Sequence, residues 1–211
     1  MVKTEGKPTL RRDARRNQER LLAAAADAFR ERGLTVPLEE IAQRAGVSAG
    51  TLYNRFGGRE ALIDAVMPEL AAERMDEAMR RAEAVDDPWE SFVTYVTVLC
   101  EQQADDPAFR DAISRQLQDA PELTARCTAE LAKSVRLLER AQRSGTLRAD
   151  VTSDDLMLLI FTNALIVRET VEATPDAWRR MLSFSLAGLR ADCGSQEACE
   201  DLFPSGESHE R

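Results

Sequence analysis

Histidine is almost absent from the 211-residue chain: a single one, His209, lies in a polar stretch. A serine-type acyl-transfer enzyme needs an imidazole base beside its nucleophile, so that chemistry has no base to use and no enzyme is expected. A histidine-ligated metal site is excluded on the same ground, and neither metal nor cofactor is expected. Aromatic residues are scarce, at 5%, so Leu, Ala and Val must fill the interior. Of the four cysteines, Cys100 and Cys127 sit within helical patterns as small core residues. Cys193 and Cys199 lie in the segment DCGSQEACED with no histidine beside them, which argues against a metal or disulfide pair. Long apolar runs are missing: LMLLIF, 156–161, falls far short of a bilayer span. The segment MVKTEGKPTLRRDARR is basic, but no apolar stretch follows it, unlike a secretory signal. A cytoplasmic chain with no membrane partner is expected. Period-two alternation is rare, so no strand is convincing.

What the chain does have is a helix-forming composition, rich in Ala, Leu, Arg and Glu, and an uneven charge. Residues 1–66 carry 12 Lys and Arg against 9 Asp and Glu, whereas residues 67–211 carry 16 against 28. A basic head on an acidic body suggests that only the head meets a polyanion. Start and stop signals divide the chain into about nine or ten helices. The first runs from about Asp13 to Arg32, with Leu22, Ala25, Ala26 and Phe29 as its apolar face and Gly33 as its stop. Pro37 fits the first turn of the next, LEEIAQRA, which ends at Gly46. A third begins at the N-cap Ser48 and ends near Phe56. The stretch from Arg59 is expected to kink or divide at Pro68. Asp87-Pro88, Asp106-Pro107 and Pro121 open further helices, the second of these reaching about Gln118. GTLRADVT precedes a helix from 153 to about 172, and Thr174-Pro175-Asp176 opens the last, which ends near Asp192. Residues 193–211 are polar and weakly patterned, and a disordered tail is expected there.

The string GVSAG, 46–50, matches G-x-S-x-G, the nucleophile elbow of serine hydrolases, with Ser48 as the attacking residue. An elbow needs a strand before the serine. LEEIAQRA instead has apolar residues at 38, 41, 42 and 45, a helical spacing. A helix-turn-helix makes other demands: a glycine in the turn, small residues where the helices cross, and short polar side chains opening the second helix, where they approach base edges and phosphates. Gly46 supplies the turn, Ala42 and Ala45 the crossing, and Ser48, Ala49, Gly50 and Thr51 the opening. Ile41, Val47, Leu52 and Phe56 make the shared core. Gly50 costs a helix about 1 kcal/mol relative to alanine, which close approach to DNA would explain.

The run AGVSAGTLYNRFGGREAL resembles the signature of the tetracycline-repressor (TetR) family of bacterial transcription regulators, roughly A-G-V-S-x-G-T-L-Y-x-H-F-x-x-K-E-x-L. The likeness continues upstream through RLLAAAADAFRERG and LEEIA, and covers about residues 16–66. The resemblance implies an all-α chain: a basic arm and three-helix DNA-binding domain over 1–66 (motif about 37–56), and a helical effector-binding and dimerisation domain over 67–192. It implies a homodimer that binds a palindromic double-stranded DNA operator, represses transcription, and is released by a small-molecule effector. By the same resemblance Thr51, Tyr53 and Arg59 hold phosphates, while Ser48, Ala49, Gly50, Asn54 and Arg55 face the groove. Arg11, Arg12, Arg15 and Arg16 form the arm, which reaches phosphates or the minor groove or is simply solvated. Three departures stand out. Arg55 replaces the signature histidine, Arg59 replaces the lysine, and the loop GLTVPLEEIA is one residue short, with Val36-Pro37 where a Thr or Ser cap is usual.

The rest of the chain resembles the family in general form. Helix 153–172 is apolar on more than one side, as expected of a helix packed on its own core and on a partner. Leu156, Leu159, Ile160 and Val167, with Trp178, Leu182, Ser185 and Leu189 of the last helix, are the candidate dimer interface. Phe92, Tyr95, Val96, Leu99, Phe109, Ile113, Leu131, Val135 and Phe161 are candidates for the effector pocket, with Arg115, Gln116, Asn163 and Arg168 as polar groups that orient a ligand. Two other readings fit an all-α chain: a ligand-independent DNA-binding dimer, whose core is filled where a cavity would be, and a helical protein-interaction module, which shows no salt-sensitive DNA binding.

Overall fold

A computed structural model of the chain describes residues 7–114 and 119–192. The expected tail at 193–211 lies outside the described residues, as do Arg115, Gln116, Cys193, Cys199 and His209. Nine helices occur among the described residues: α1 Lys7–Arg32, α2 Leu38–Ala45, α3 Ala49–Phe56, α4 Arg59–Glu83, α5 Pro88–Asp105, α6 Pro107–Ser114, α7 Pro121–Arg143, α8 Ser153–Thr170 and α9 Ala177–Leu189. Of these, none is long and apolar enough to cross a membrane. The helices form two compact units. One comprises the described residues up to Glu77 together with Glu101–Leu131; the other comprises Ala78–Cys100 and the described residues from Ala132 onward.

Helix starts follow local chemistry. Asp87 Oδ1 accepts from the Glu90 amide at 2.9 Å, opening α5, and Asp106 Oδ1 accepts from the amides of Ala108 and Phe109, opening α6. Thr152 and Asp155 cap α8 reciprocally. Three expectations shift. Helix α1 begins at Lys7, so the backbone of the expected basic arm is helical at Arg11, Arg12, Arg15 and Arg16. Its buried face holds Leu21, Ala25, Ala28 and Phe29, with Leu22 and Ala26 only half-buried, a register turned by about one residue. Helix α4 runs through Pro68 undivided. A mid-helix proline costs about 3 kcal/mol, but Ile63, Met67, Ala71 and Ala72 are buried on either side of it, and packing of that face outweighs the lost backbone bond.

In the second unit, polar side chains hold the loops. The guanidinium of Arg140 donates to the carbonyls of Val85 and Asp86 between α4 and α5. The Gln142 amide donates to the carbonyls of Arg148, Ala149 and Val151, shaping the loop before α8. That loop pairs with the end of α9 through an antiparallel bridge, Leu147 to Arg190, and Arg190 lies over the Trp89 ring at 4.9 Å. Cys100 is buried in this unit; in the first unit burial, with Glu130 adding repulsion, pushes the Cys127 thiol up to about 11.

In the first unit the α1–α2 loop is gripped from both sides. Gly33 adopts φ +77°, and a Cβ there would lie 2.7 Å from Asp111 Oδ2. The Leu34 amide donates to that same oxygen at 2.9 Å. The Arg59 Nη1 donates to the carbonyls of Leu34 and Val36 at 2.8 and 2.7 Å. Leu34 and Val36 are themselves buried, and the backbone groups of this loop are satisfied by two side chains, one on α6 and one on α4. Removing one partner exposes the full desolvation cost of the other. Asp111→Ala is therefore expected to destabilise the chain by about 1–3 kcal/mol, and Asp111→Asn, which keeps an acceptor oxygen, by less; urea unfolding of the three proteins checks the order.

Candidate nucleic-acid interface

Helices α2 and α3 meet across Gly46, whose φ of +68° makes the reversal that caps α2. The amides of Gly46 and Val47 close that cap on Gln43 and Ala42, and the Arg20 Nη2 donates to the last carbonyl, Ala45, at 2.7 Å. Ile41, Ala42, Ala45 and Leu52 are fully buried, and Phe56 half-buried, which fixes the crossing. Pro37 is the N-cap of α2, one position before the expected first turn, and supplies no side-chain cap. Its carbonyl accepts from the amides of Glu40 and Ile41. The opening of α3 makes the same two backbone bonds beneath its serine cap, so α2 opens on backbone bonds alone.

Ser48 is not on an elbow. It follows a helix, and its hydroxyl accepts from the Thr51 amide at 3.2 Å as the N-cap of α3 while lying 2.9 Å from the Thr51 hydroxyl. With Leu52 buried beneath, the outer side of α3 is solvent-facing: Ser48, Gly50, Thr51, Tyr53, Asn54 and Arg55 are exposed, and Ala49 is half-buried. Tyr53 keeps 46% of its surface in water, a large aromatic held outward by a rigid two-helix base. Arg59 is placed differently from the expected phosphate ligand. It is half-buried, and its Nη1 donates to the two loop carbonyls.

Charge is distributed selectively around this surface. Arg32 and Arg44 both pair with Glu40, Arg44 also with Glu31, Arg15 with Glu19 and Arg30 with Asp27. Burial alone would push the Glu40 carboxyl up, but its bonds from Arg32 and Arg44 hold it below its ordinary value. Arg55, the one charged residue of α3, has an uncharged partner: its Nη2 donates to Gln18 Oε1 on α1. Gln18, Arg20 and Asp111 had no role in the sequence reading. For Gln18 and Arg20 the signal was present, since both adjoin Leu21 at the start of the buried face of α1.

Beside Arg59, Glu60 shares a hydrogen bond with Asp119, and this bond, with some burial and repulsion between the two carboxylates, raises the Glu60 pKa.

Residues 21–66 match the family model described as bacterial regulatory proteins, tetR family, and residues 87–191 match a model described as transcriptional regulator SbtR-like, C-terminal domain. The chain belongs to the TetR family. It is a TetR-family transcriptional regulator with a DNA-binding helix-turn-helix domain. Among curated proteins, YvdT of Bacillus subtilis strain 168, an uncharacterized regulator of the helix-turn-helix type, is 32% identical over 72 residues, 34% of this chain and 37% of YvdT, well under half of that protein's length. Among solved structures, RolR in complex with resorcinol aligns with a TM-score of 0.63 at 18% identity, over 86% of this chain and 91% of RolR. FadR of Bacillus halodurans, described as a fatty acid degradation regulator, aligns at 0.61 and 20%, over 81% and 95%. The TetR regulator SCO0520 of Streptomyces coelicolor aligns at 0.51 and 26%, over 82% and 98%.

The other candidate residues of this TetR chain fall as follows. Leu156, Ile160, Val167, Trp178 and Leu182 are buried in their own unit; Leu156 is 1% exposed and has no surface to offer a second chain. Leu159, Ser185 and Leu189, with an edge of Leu182, line an open apolar cleft of about 440 Å³ between α8 and α9, beside Leu158, Met181 and Phe184. The apolar strip is thus offset from the predicted one by about a residue on α8, while on α9 it runs along most of the predicted residues. Of the pocket candidates, Phe92, Tyr95, Val96 and Leu99 are buried in the second unit, where Val135 and Phe161 are half-buried; Phe109, buried, and Ile113 and Leu131, half-buried, belong to the first.

A carboxyl whose folded pKa is raised contributes stability below its unfolded pKa and loses it as pH rises through the folded value. Glu60→Gln removes the repulsion that appears there, so its melting temperature relative to wild type is expected to be more favourable at pH 7 than near pH 4. Thermal melts at the two values check the sign.

Proposed function

We propose that the chain is a dimeric repressor that binds a palindromic operator through α3 and is released by a small-molecule effector. The observation that carries the reading is the outer side of α3, where exposed Ser48, Thr51, Tyr53 and Asn54 stand on a buried base. In this reading Tyr53 and Thr51 bond phosphates and fix the register, while Ser48, Ala49, Asn54 and Arg55 approach base edges. Arg59 supports them from behind. Steep loss of binding with salt is the signature of such contacts.

Gly50 supports the same reading. Its φ is not in the left-handed region, and a Cβ there would meet nothing closer than Ser48 Oγ at 3.8 Å. Nothing among the described residues requires a glycine, yet glycine weakens a helix by about 1 kcal/mol relative to alanine. Clearance for a ligand outside the chain accounts for it. Gly50→Ala is expected to raise stability by up to about 1 kcal/mol while weakening operator binding; thermal melts and fluorescence anisotropy on one protein sample measure the two effects. A variant both more stable and equally tight would remove the argument.

The second copy is assigned to the α8–α9 cleft. Leu158 is 61% exposed and Phe184 56%, with Met157 and Met181 beside them. Burying one such side chain is worth about 1.5–3 kcal/mol, and a two-fold arrangement covers each copy's strip with the other's. For the effector we retain Phe92, Tyr95, Val96 and Leu99 of α5, with Val135 and Phe161, an apolar set within one unit. Effector binding shifts DNA affinity only by its differential affinity for the two states. Leu158→Glu is expected to give a folded monomer with weakened operator binding, whereas Leu182→Glu, which places charge in the core, should misfold. Sedimentation and circular dichroism separate the two outcomes, and a Leu158→Glu dimer as tight as wild type would move the interface elsewhere.

A further inference from the structure

We infer that Gln18 of α1 is a specificity-determining residue, one that aims Arg55 at a guanine in the operator; this rests on the reading of α3 as the operator-contacting helix. Three observations bear on it. First, Arg55 is exposed and is the one charged residue of α3. Its partner is a neutral amide oxygen, so the bond orients the guanidinium without cancelling its charge, unlike the carboxylates that hold Arg32 and Arg44. Second, Gln18 is half-buried and stands in a small cleft between α1 and α3, of about 190 Å³, over the apolar side chains of Leu21 and Val47 and opposite Thr51. The amide is therefore partly enclosed, with fewer rotamers open to it than a fully solvated glutamine has. Third, the bond uses Nη2 alone. The remaining N–H donors of the guanidinium fork stay available, and because the fork is planar and rigid, holding one nitrogen narrows the positions open to the rest.

A guanidinium presented in that way matches one base edge. Guanine offers two acceptors, O6 and N7, side by side in the major groove, and arginine meets both at once. Without Gln18 the long Arg55 side chain, anchored only at its Cα, ranges over neighbouring phosphates as readily as over base edges. Phosphate contact attracts every sequence equally; base contact discriminates. Gln18 thus converts a general cation into a reader, from a helix that itself lies outside the helix-turn-helix.

The test is selection of binding sequences from a random duplex library, run in parallel with the wild type, Arg55→Ala, Gln18→Ala and Gln18→Glu. Wild type is expected to select a guanine at one position of each half-site, with Arg55→Ala losing the preference there. Gln18→Ala should reduce the same preference on the order of tenfold, leave the other positions unchanged, and melt as wild type does. Gln18→Glu, which keeps an acceptor for Nη2, should restore the preference even if its added charge lowers affinity for all duplexes. Selection by Gln18→Ala of the same guanine with undiminished preference would overturn the role of Gln18 alone. Equal weakening on every sequence would overturn it too, placing Arg55 on a phosphate. A wild-type chain that selects no sequence would overturn the operator reading and this inference together.

Discussion

The placement of the recognition helix depends on how five residues of loop are held. Between α1 and α2 the backbone runs through Gly33 to Pro37 without a side-chain cap, and its buried polar groups are met by Asp111 from α6 and Arg59 from α4. These bonds fix where α2 begins. The crossing of α2 over α3, set by Gly46 and the buried Ala42, Ala45 and Leu52, then fixes where α3 points. A surface that recognises a ligand must be held to a fraction of an ångström by a supporting shell. Here that shell includes a carboxylate 77 residues away in sequence from the amide it satisfies.

Much of the helix pattern was legible in the sequence because punctuation is local. Asp87-Pro88 and Asp106-Pro107 announce helix starts through bonds made within three residues, and each is made in the structure. The signature AGVSAGTLYNRF was equally legible, since turn, cap and buried anchors lie within one short run. Rotation about a helix axis was less so. On α1 and on α8 the apolar residues cover more than one side, and composition cannot say which side meets the chain's own core. Hence Leu21 is buried where Leu22 was expected, and Leu158 lies open where Leu156 had been assigned to a partner.

The polar contacts that hold the α1–α2 loop were not legible. Nothing near Asp111 in the chain marks it as the acceptor of the Leu34 amide, and nothing near Arg59 separates a cation for phosphate from one that binds two carbonyls. At 59, where the signature has lysine, one nitrogen of the arginine, Nη1, meets both carbonyls. Pro68 shows the reverse case: a strong local signal for a break is overridden by the burial of Ile63, Met67 and Ala71 around it.

Gly33 and Asp111 also constrain how this sequence can change over generations. Any side chain at 33 would meet Asp111 Oδ2 at 2.7 Å, besides straining a backbone at φ +77°. Shrinking residue 111 to make room would leave the Leu34 amide without that acceptor. Neither position can drift first without loss, and a simultaneous change must rebuild a hydrogen bond as well as a space. Two sites far apart in the gene are therefore bound to one another, and a lineage that altered the short α1–α2 loop would have to carry the answer to that change on α6.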